Sequence, residues 1–318
     1  MRVVEDLDLL PRDLACPVLT IGVFDGVHLG HQEILKRVVS RAAEVGGTAV
    51  VLTFRPHPKK VISPGDAPAL LQTEEQKVEL LEEEGIEVLV GVPFTRKLSL
   101  SSPLQFVEEV LHHRGIQEVH VGSNFRFGHR RTGDFQLLRE LAAERGIRVE
   151  GIEQVRTRQG RISSTMIREN LRLGRVGEAL SMLGRPYEIR GTVVKGAGRG
   201  QRLGFPTANL QVFNELIPAG GVYVTQVQLD GGPIGSVTNI GFRPTLTSGA
   251  DPEPVVESHI LDFDGNLYGR PLRLRFLKHL RPEEKFDNAE KLQHQVQRDI
   301  LSARDYLKEN DEDQARAG

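Results

Sequence analysis

Over the first half of the chain, strand-length apolar runs alternate with segments of helical period, and that alternation leaves few folds open. Val18 to Phe24 reads as a buried strand, after which Ile34, Leu35, Val38, Val39 and Ala42 recur at helical spacing. Thr48 to Phe54 predicts the next strand. Thr73 with Gln76 forms a capping-box signature for a helix that should stop near Gly85. Ile86 to Val92 predicts a third strand, and Ser102-Pro103 opens a helix with Phe106, Val107, Val110 and Leu111 on one face and Gly115 at its end. A strand at Val119–Gly122, a helix at Asp134–Arg145 and a strand at Ile147–Val155 complete the series. Strands separated by helices run parallel, with both faces of their sheet covered. A ligand site is then expected at the carboxyl ends of the strands.

Near Gly184-Arg185-Pro186 the pattern changes. Five segments of period-two alternation follow, at Tyr187–Val194, Val222–Leu229, Ile234–Ile240, Val255–Phe263 and Leu272–Leu280. Turns rich in glycine and proline separate them, which predicts a small antiparallel barrel. Phe286, Ala289, Leu292, Val296, Ile300, Ala303 and Leu307 then step by three or four, the mark of a long amphipathic helix, with Asp287 and Glu290 placed to cap it. The expected division is residues 1–185, residues 186–308 and a disordered tail over 309–318. A length of 318 residues suits two domains.

Charge narrows the partners. The net charge is −2, from 41 basic and 43 acidic residues, so a broad positive field for long nucleic acid is not expected. A small polyanion such as ATP needs only local positive groups. No apolar run approaches the ~20 residues that span a bilayer. Met1 to Leu10 carries Glu5, Asp6 and Asp8 with no basic segment leading into an apolar one, so no signal peptide is expected. Cys16 is the only cysteine, which fits a reducing, cytoplasmic setting. The expected partners are small-molecule substrates, with neither nucleic acid nor membrane, and at most a weak homo-oligomer.

Gly22-Val23-Phe24-Asp25-Gly26-Val27-His28-Leu29-Gly30-His31 sits where the first predicted strand turns into the first helix. Gly26 and Gly30 remove side chains where a phosphate would approach the backbone, and the amides of the helix start would face the anion. His28 and His31 can both donate to phosphate oxygens. A lone pair of histidines beside a turn is ordinarily a surface feature; this pair sits inside a glycine-containing strand–turn–helix junction. Ile162-Ser163-Ser164-Thr165-Met166-Ile167-Arg168 is its natural partner. Helix capping alone accounts for Ser163 and Ser164, but not for Arg168 one turn beyond Ser164 on the same face. Hydroxyl, amide and guanidinium donors together suit a triphosphate.

Residues 191–210 hold five glycines, at 191, 196, 198, 200 and 204, interleaved with Lys195, Arg199 and Arg202. A glycine-rich turn is weak evidence by itself, and the run is not a Walker A loop. Pro206-Thr207-Ala208-Asn209 is sharper: if extended, Thr207 and Asn209 point to one face, where their oxygens could meet one Mg²⁺. By spacing alone, the polar face of an edge strand explains them better. Glu257 and His259 share a face with Val255, Leu261 and Phe263. A Glu257 directed into a barrel mouth would be a candidate base, and a solvent-facing Glu257 fits the spacing equally well.

The histidine run and the serine–threonine–arginine run resemble the HxGH nucleotidyltransferase superfamily, whose domain is α/β and Rossmann-like. The longer segments Phe24 to His31, Thr53-Phe54-Arg55-Pro56-His57-Pro58 and Val121 to Gly128 narrow the resemblance to the prokaryotic bifunctional riboflavin kinase/FAD synthetases. In the second half, Gly198 to Leu210, Gly221-Val222-Tyr223, Asn239 to Thr245, Glu257-Ser258-His259, Asp262-Phe263 and Leu267-Tyr268-Gly269 are similar to the all-β riboflavin kinase barrel. Arg281-Pro282-Glu283 and Phe286 carry the match into its C-terminal helix, so that it covers about residue 15 to about residue 307.

That resemblance implies two activities with ATP as substrate, riboflavin to FMN and FMN to FAD, with Mg²⁺ required. It implies His28, His31 and Arg168 as catalytic groups of adenylylation and Glu257 as the kinase base. It implies Gly22, Phe24, Asp25, Gly26, Gly30, Ser164 and Thr165 around one ATP, and Gly196, Arg199, Gly200 and Gly204 around the other. His57, Asn124, Arg281 and Glu283 are implied in flavin binding, and Thr207 and Asn209 in holding the metal. Position 124 is Asn where many members carry Asp; either accepts a hydrogen bond from a flavin ring.

Three rivals are separable. A nucleotidyltransferase for another acceptor would have the histidine motif but no use for the barrel motifs. A non-catalytic nucleotide-binding regulator would be expected to lack some of the catalytic set, all of which is present. An aminoacyl-tRNA synthetase would show a large basic surface or an RNA-binding extension.

Overall fold

The computed structural model describes residues 1–318 except 12–13, 113–115, 158–159, 197, 199, 201–202, 244–252 and 318. Two compact units divide between Ser164 and Thr165, upstream of the boundary at residue 185 that the change of pattern suggested.

The first unit is built on a six-stranded sheet. Its strands are β1 (Arg2–Val4), β2 (Val18–Ile21), β3 (Ala49–Arg55), β4 (Val88–Pro93), β5 (Glu118–Gly122) and β6 (Arg148–Ile152), in the order β1-β4-β3-β2-β5-β6. Every pairing in it is parallel. Strand alternation gives each face its own core. Leu19, Val50, Val90 and Val119 pack with Phe106, Val110, Leu111 and Leu138, the last on α3 (Phe135–Ala143). Val18, Val51 and Leu89 pack with Leu35 and Val38 of α1 (Leu29–Glu44) and Leu81 of α2 (Glu74–Glu83). The predicted capping box at Thr73 and Gln76 forms, and Gly85 follows at φ +86°.

Sequence reading found five of these strands. It missed β1, three residues with only Val4 buried, too short to display a period. At the amino end of β5, Arg41 Nε donates to both carboxylate oxygens of Glu118 at 2.9 and 3.1 Å, and the His120 ring lies 2.9 Å from the same carboxylate. Burial alone would raise the Glu118 carboxyl, but these bonds hold it below its ordinary value. That end of the sheet is thus closed by an ion-pair network.

The second unit opens with α4 (Ser164–Arg172, begun by Ser164 of the first unit) and α5 (Val176–Leu183). It continues as a closed antiparallel barrel of β7 (Tyr187–Val194), β8 (Ala208–Val212), β9 (Gly221–Leu229), β10 (Gly232–Arg243), β11 (Glu253–Ile260) and β12 (Pro271–Arg281). The spatial order is β7-β8-β11-β10-β9-β12. Six strands close it rather than the five predicted: β8 begins at the end of the glycine-rich run, and only its Leu210 is buried, so no apolar period stands out.

Inside the barrel, Thr225, Ser236, Thr238 and Ser258 are wholly buried and satisfy one another through hydroxyl contacts of 2.7 to 3.0 Å. Such a chain of mutual donors and acceptors removes the desolvation penalty that single buried hydroxyls would incur. Outside, α6 (Ala289–Ala317) lays Ile300, Ala303, Tyr306 and Leu307 against Val222, Val224, Val237 and Leu261.

Two expectations about α6 change. Asn288 caps it, its Oδ1 accepting from Lys291 N at 2.9 Å, while Asp287 instead pairs with the Lys291 ammonium. The helical backbone also runs on through 309–317, where a disordered tail was expected.

Candidate active sites

The turn after β2 is held carbonyl by carbonyl. Thr53 Oγ1 donates to Val23 O at 3.2 Å, Gln72 Nε2 to Phe24 O at 2.9 Å, Ser164 Oγ to Asp25 O at 2.8 Å and Gln32 Nε2 to Val27 O at 2.9 Å. The buried Asp25 carboxylate accepts from Leu71 N at 2.9 Å. These bonds fix a backbone that would not otherwise persist. Phe24 and Val27 have φ of +50° and +36°, and Gly26 between them +88°. A non-glycine residue at positive φ costs of order 1–3 kcal/mol and survives where its surroundings over-determine it.

The two histidines of the motif come together. His28 and His31 stack with ring centroids 3.6 Å apart and 13° between planes, and Phe24 meets His31 edge-on at 5.2 Å. His28 also caps α1, its Nδ1 accepting from His31 N at 3.2 Å. An accepting Nδ1 places the proton of the neutral ring on Nε2, making Nε2–H the donor.

The helix start differs from expectation in two respects. The His31 amide is already taken by His28, so it is not among the amides that could face an anion. A Cβ at Gly30 would lie 3.2 Å from the His28 ring, and one at Gly22 3.0 Å from the Phe24 ring. These two glycines make room for rings.

Ser164 also gains a role the sequence did not give it. Its hydroxyl proton is spent on Asp25 O, so it secures the turn. Thr165 beside it is exposed, and Arg168, in the second unit, is buried.

The other matched segments of the first unit also stand at carboxyl ends of strands. His57 follows β3 and caps the short helix Pro58–Ile62 by accepting from Lys59 N at 3.1 Å. Asn124 is exposed after β5, and a Cβ at Gly122 would meet its Oδ1 at 3.0 Å. Gln72 is the participant that sequence reading missed, since no motif marks it. Gln72→Leu leaves the Phe24 carbonyl unpaired, an expected loss of about 1–3 kcal/mol readable as a lower chemical-denaturation midpoint.

On the barrel, strand register assembles the second site. Val194, Asn209, Glu257, Asn239, Val222 and Arg281 are successive cross-strand partners from β7 to β12. Directly opposed residues share a face, so one row brings Glu257 between two amides, Asn209 and Asn239. Val256, Ser258 and Ile260 are the buried residues of β11, which puts Glu257 on the outer wall, the second of the two orientations the spacing left open. The sequence marked the face Glu257 shares but could not say whether it turned in or out.

The glycine-rich run closes on this row. A Cβ at Gly196 would fall 2.3 to 2.5 Å from the Asn209 amide, and one at Gly200 would fall 3.2 Å from Thr207 Oγ1. Only glycine permits the first approach. Gly204 turns at φ +86°, where a Cβ would meet none of the described residues within 4 Å, whereas Arg199 and Arg202, like Pro244 and Thr245, lie outside the described residues. Hard oxygen donors two residues apart, with a carboxylate on the strand opposite, are the chemistry Mg²⁺ takes, so Thr207 and Asn209 fit that ion.

At the far end of the row, a Cβ at Gly241 would lie 2.7 Å from Glu283 Oε1 and 3.6 Å from Asn239 Nδ2. Arg281 is engaged: its Nε and Nη2 donate to the buried Asp299 carboxylate of α6 at 2.9 to 3.2 Å, and Gln295 donates to the same group at 2.9 Å. It therefore clamps α6 to β12. Asp299→Ala strands the guanidinium, and about 3 kcal/mol of destabilisation is expected, checked by thermal melting.

The chain matches two family models, FAD synthetase over residues 11–166 and riboflavin kinase over residues 183–307. Among curated relatives, the bifunctional riboflavin kinase/FMN adenylyltransferase of Pseudomonas fluorescens is 38% identical over 96% of this chain and 97% of its own. Those of Escherichia coli K12 and Bacillus subtilis are 35% and 34% identical, over 96% and 94% of this chain and 97% and 95% of theirs. A crystal structure from Streptococcus pneumoniae, described as a macrolide-efflux protein, superposes with a TM-score of 0.87 at 28% identity over 95% of this chain and 98% of that one. Among the described residues, no helix is long and apolar enough to cross a membrane. With a held histidine turn on a parallel sheet and a carboxylate row on a barrel, each inside its matching segment, the chain belongs to the bifunctional riboflavin kinase/FMN adenylyltransferase family.

Proposed function

We propose that the barrel phosphorylates riboflavin to FMN and that the parallel-sheet unit adenylylates FMN to FAD, each step consuming one ATP. The observation that carries this is the pair of unlike sites on one chain, a capped histidine stack and a Glu257 row under glycines.

In the first step Glu257 takes the proton of the ribityl 5′-hydroxyl as that oxygen attacks the γ-phosphorus and ADP leaves. Asn209 and Asn239 flank Glu257 on the neighbouring strands. Gly196, Arg199, Gly200 and Gly204 form the run that covers ATP. Thr207 and Asn209 would hold Mg²⁺, which when bound neutralises phosphate charge. Glu283, whose carboxylate borders Gly241, would meet the flavin, with Arg281 holding α6 near it.

In the second step an FMN phosphate oxygen attacks the α-phosphorus of ATP and pyrophosphate leaves, with no covalent enzyme intermediate. His28 Nε2–H, His31 and Arg168 donate to oxygens that gain charge. Gly22, Phe24, Asp25, Gly26, Gly30, Ser164 and Thr165 shape the ATP turn, and His57 and Asn124 meet the flavin. We assign adenylylation to residues 1–185 and kinase activity to 186–308; the family segments ending at 166 and starting at 183 support this. A cytoplasmic setting is supported by the single cysteine, Cys16. Small molecules are the partners, with no nucleic acid and at most weak self-association.

Labelled ATP tests the reading. With riboflavin as acceptor, γ-phosphate label is expected in FMN and then in FAD, and α-phosphate label in FAD alone. Absence of γ label from every flavin would remove the kinase step.

A further inference from the structure

We infer that His259 is a positioning residue of the kinase site, a tether that presents Thr207 to the metal ion; this rests on assigning Thr207 and Asn209 as the metal pair. The β8–β11 ladder pairs Leu210 with Val256, Asn209 with Glu257 and Ala208 with Ser258, and there it ends. Thr207 and Pro206 lie beyond it, at the exit of the glycine-rich run. Pro206 has no N–H, so it can be tied to a neighbour only through its carbonyl. His259 supplies that tie, its Nδ1 standing 2.9 Å from Pro206 O. A carbonyl only accepts, so Nδ1 carries the hydrogen, as it does in one neutral tautomer and in the cation alike.

The consequence for Thr207 is geometric. Its backbone is held on one side by the ladder at Ala208 and on the other by the His259 tether at Pro206. The Phe205 ring stands edge-on to His259, 6.0 Å between centroids at 83°. Gly200 is coupled to the same segment: Phe205 N donates to Gly200 O at 2.8 Å, and a Cβ at Gly200 would fall 2.4 Å from Phe205 O. Fixing Pro206 therefore places both the Thr207 hydroxyl and the glycine beside it. His259 reaches them from Glu257's own strand, two residues on and on the same face. One β-strand thus carries the base and the group that aligns the metal ligand. Groups that orient ligands from behind typically change metal affinity by roughly 10- to 100-fold when lost.

Four variants decide it, with binding of Mn²⁺–ADP read as loss of the free Mn²⁺ resonance and riboflavin phosphorylation measured against Mg²⁺. His259→Ala and His259→Gln are expected to weaken Mn²⁺–ADP binding at the kinase site roughly 10-fold or more and to raise the Mg²⁺ requirement in parallel. His259→Asn is expected to recover most of both, because an asparagine amide nitrogen stands close to where Nδ1 stood. FMN adenylylation in each variant is expected to equal wild type, which also reports folding. Equal losses in His259→Asn and His259→Ala would overturn the tether, as would wild-type Mn²⁺–ADP binding in His259→Ala. Thr207→Ala is the fourth variant: if it binds Mn²⁺–ADP normally, the metal assignment itself fails, whereas loss there with none in His259→Ala defeats the tether alone.

Discussion

Glu257→Gln is expected to stop riboflavin phosphorylation and to leave adenylylation of supplied FMN at its wild-type rate. The substitution keeps size and hydrogen-bonding reach, so the row with Asn209 and Asn239 and the barrel behind it stay intact. What it removes is the proton acceptor. General-base catalysis contributes about 10²–10⁴-fold, and in phosphoryl transfer the base acts late, so the lower part of that range is the minimum expected fall in kcat. Chromatography of flavins formed from riboflavin, and separately from FMN, measures both halves in one preparation. Equal loss of both would point to damage to the whole chain or to a shared site.

His31→Ala is expected to give the mirror image. The change removes the ring stacked on His28 and edged by Phe24 but keeps the His31 backbone N–H that His28 Nδ1 accepts. The α1 cap therefore survives, and the expected defect is confined to the donors assigned to phosphate. Loss of one charge-stabilising donor costs about 10²–10³-fold, so FAD formation from FMN should fall by that factor while FMN formation from riboflavin does not change. His28→Ala is the less clean experiment, because it also deletes a cap whose loss costs about 1 kcal/mol. Unchanged FAD formation in His31→Ala would take the histidine stack out of the mechanism.

The elements that sequence exposed were those with a long uninterrupted period. Strands β2 to β5 and helix α1 show their apolar runs directly, and the Thr73–Gln76 capping box marks a helix start to the residue. β1 and β8 were hidden because a three-residue edge and a strand with one buried position offer no period to read. The candidate site stood out in the sequence where unusual residue types recur at short spacing, as in His28 with His31 at a glycine-containing turn, whereas the spacing of Thr207 and Asn209 alone favoured a plain strand face. It was not legible where the work is done by ordinary residues through long-range hydrogen bonds. Gln72, 48 positions from Phe24, is one such residue, and the turn of Glu257 to the outer wall is another such fact, fixed only by closure of the barrel.

On the proposed function the two steps are carried out by separate groups on one polypeptide, and mixing the two variants tests this most directly. Glu257→Gln and His31→Ala, each unable alone to turn riboflavin into FAD at an appreciable rate, are combined with riboflavin, ATP and Mg²⁺. Restored FAD formation, with FMN rising first, is the expected result. No FAD from the mixture, although each variant retains its own half-reaction, would contradict independent sites linked by released FMN.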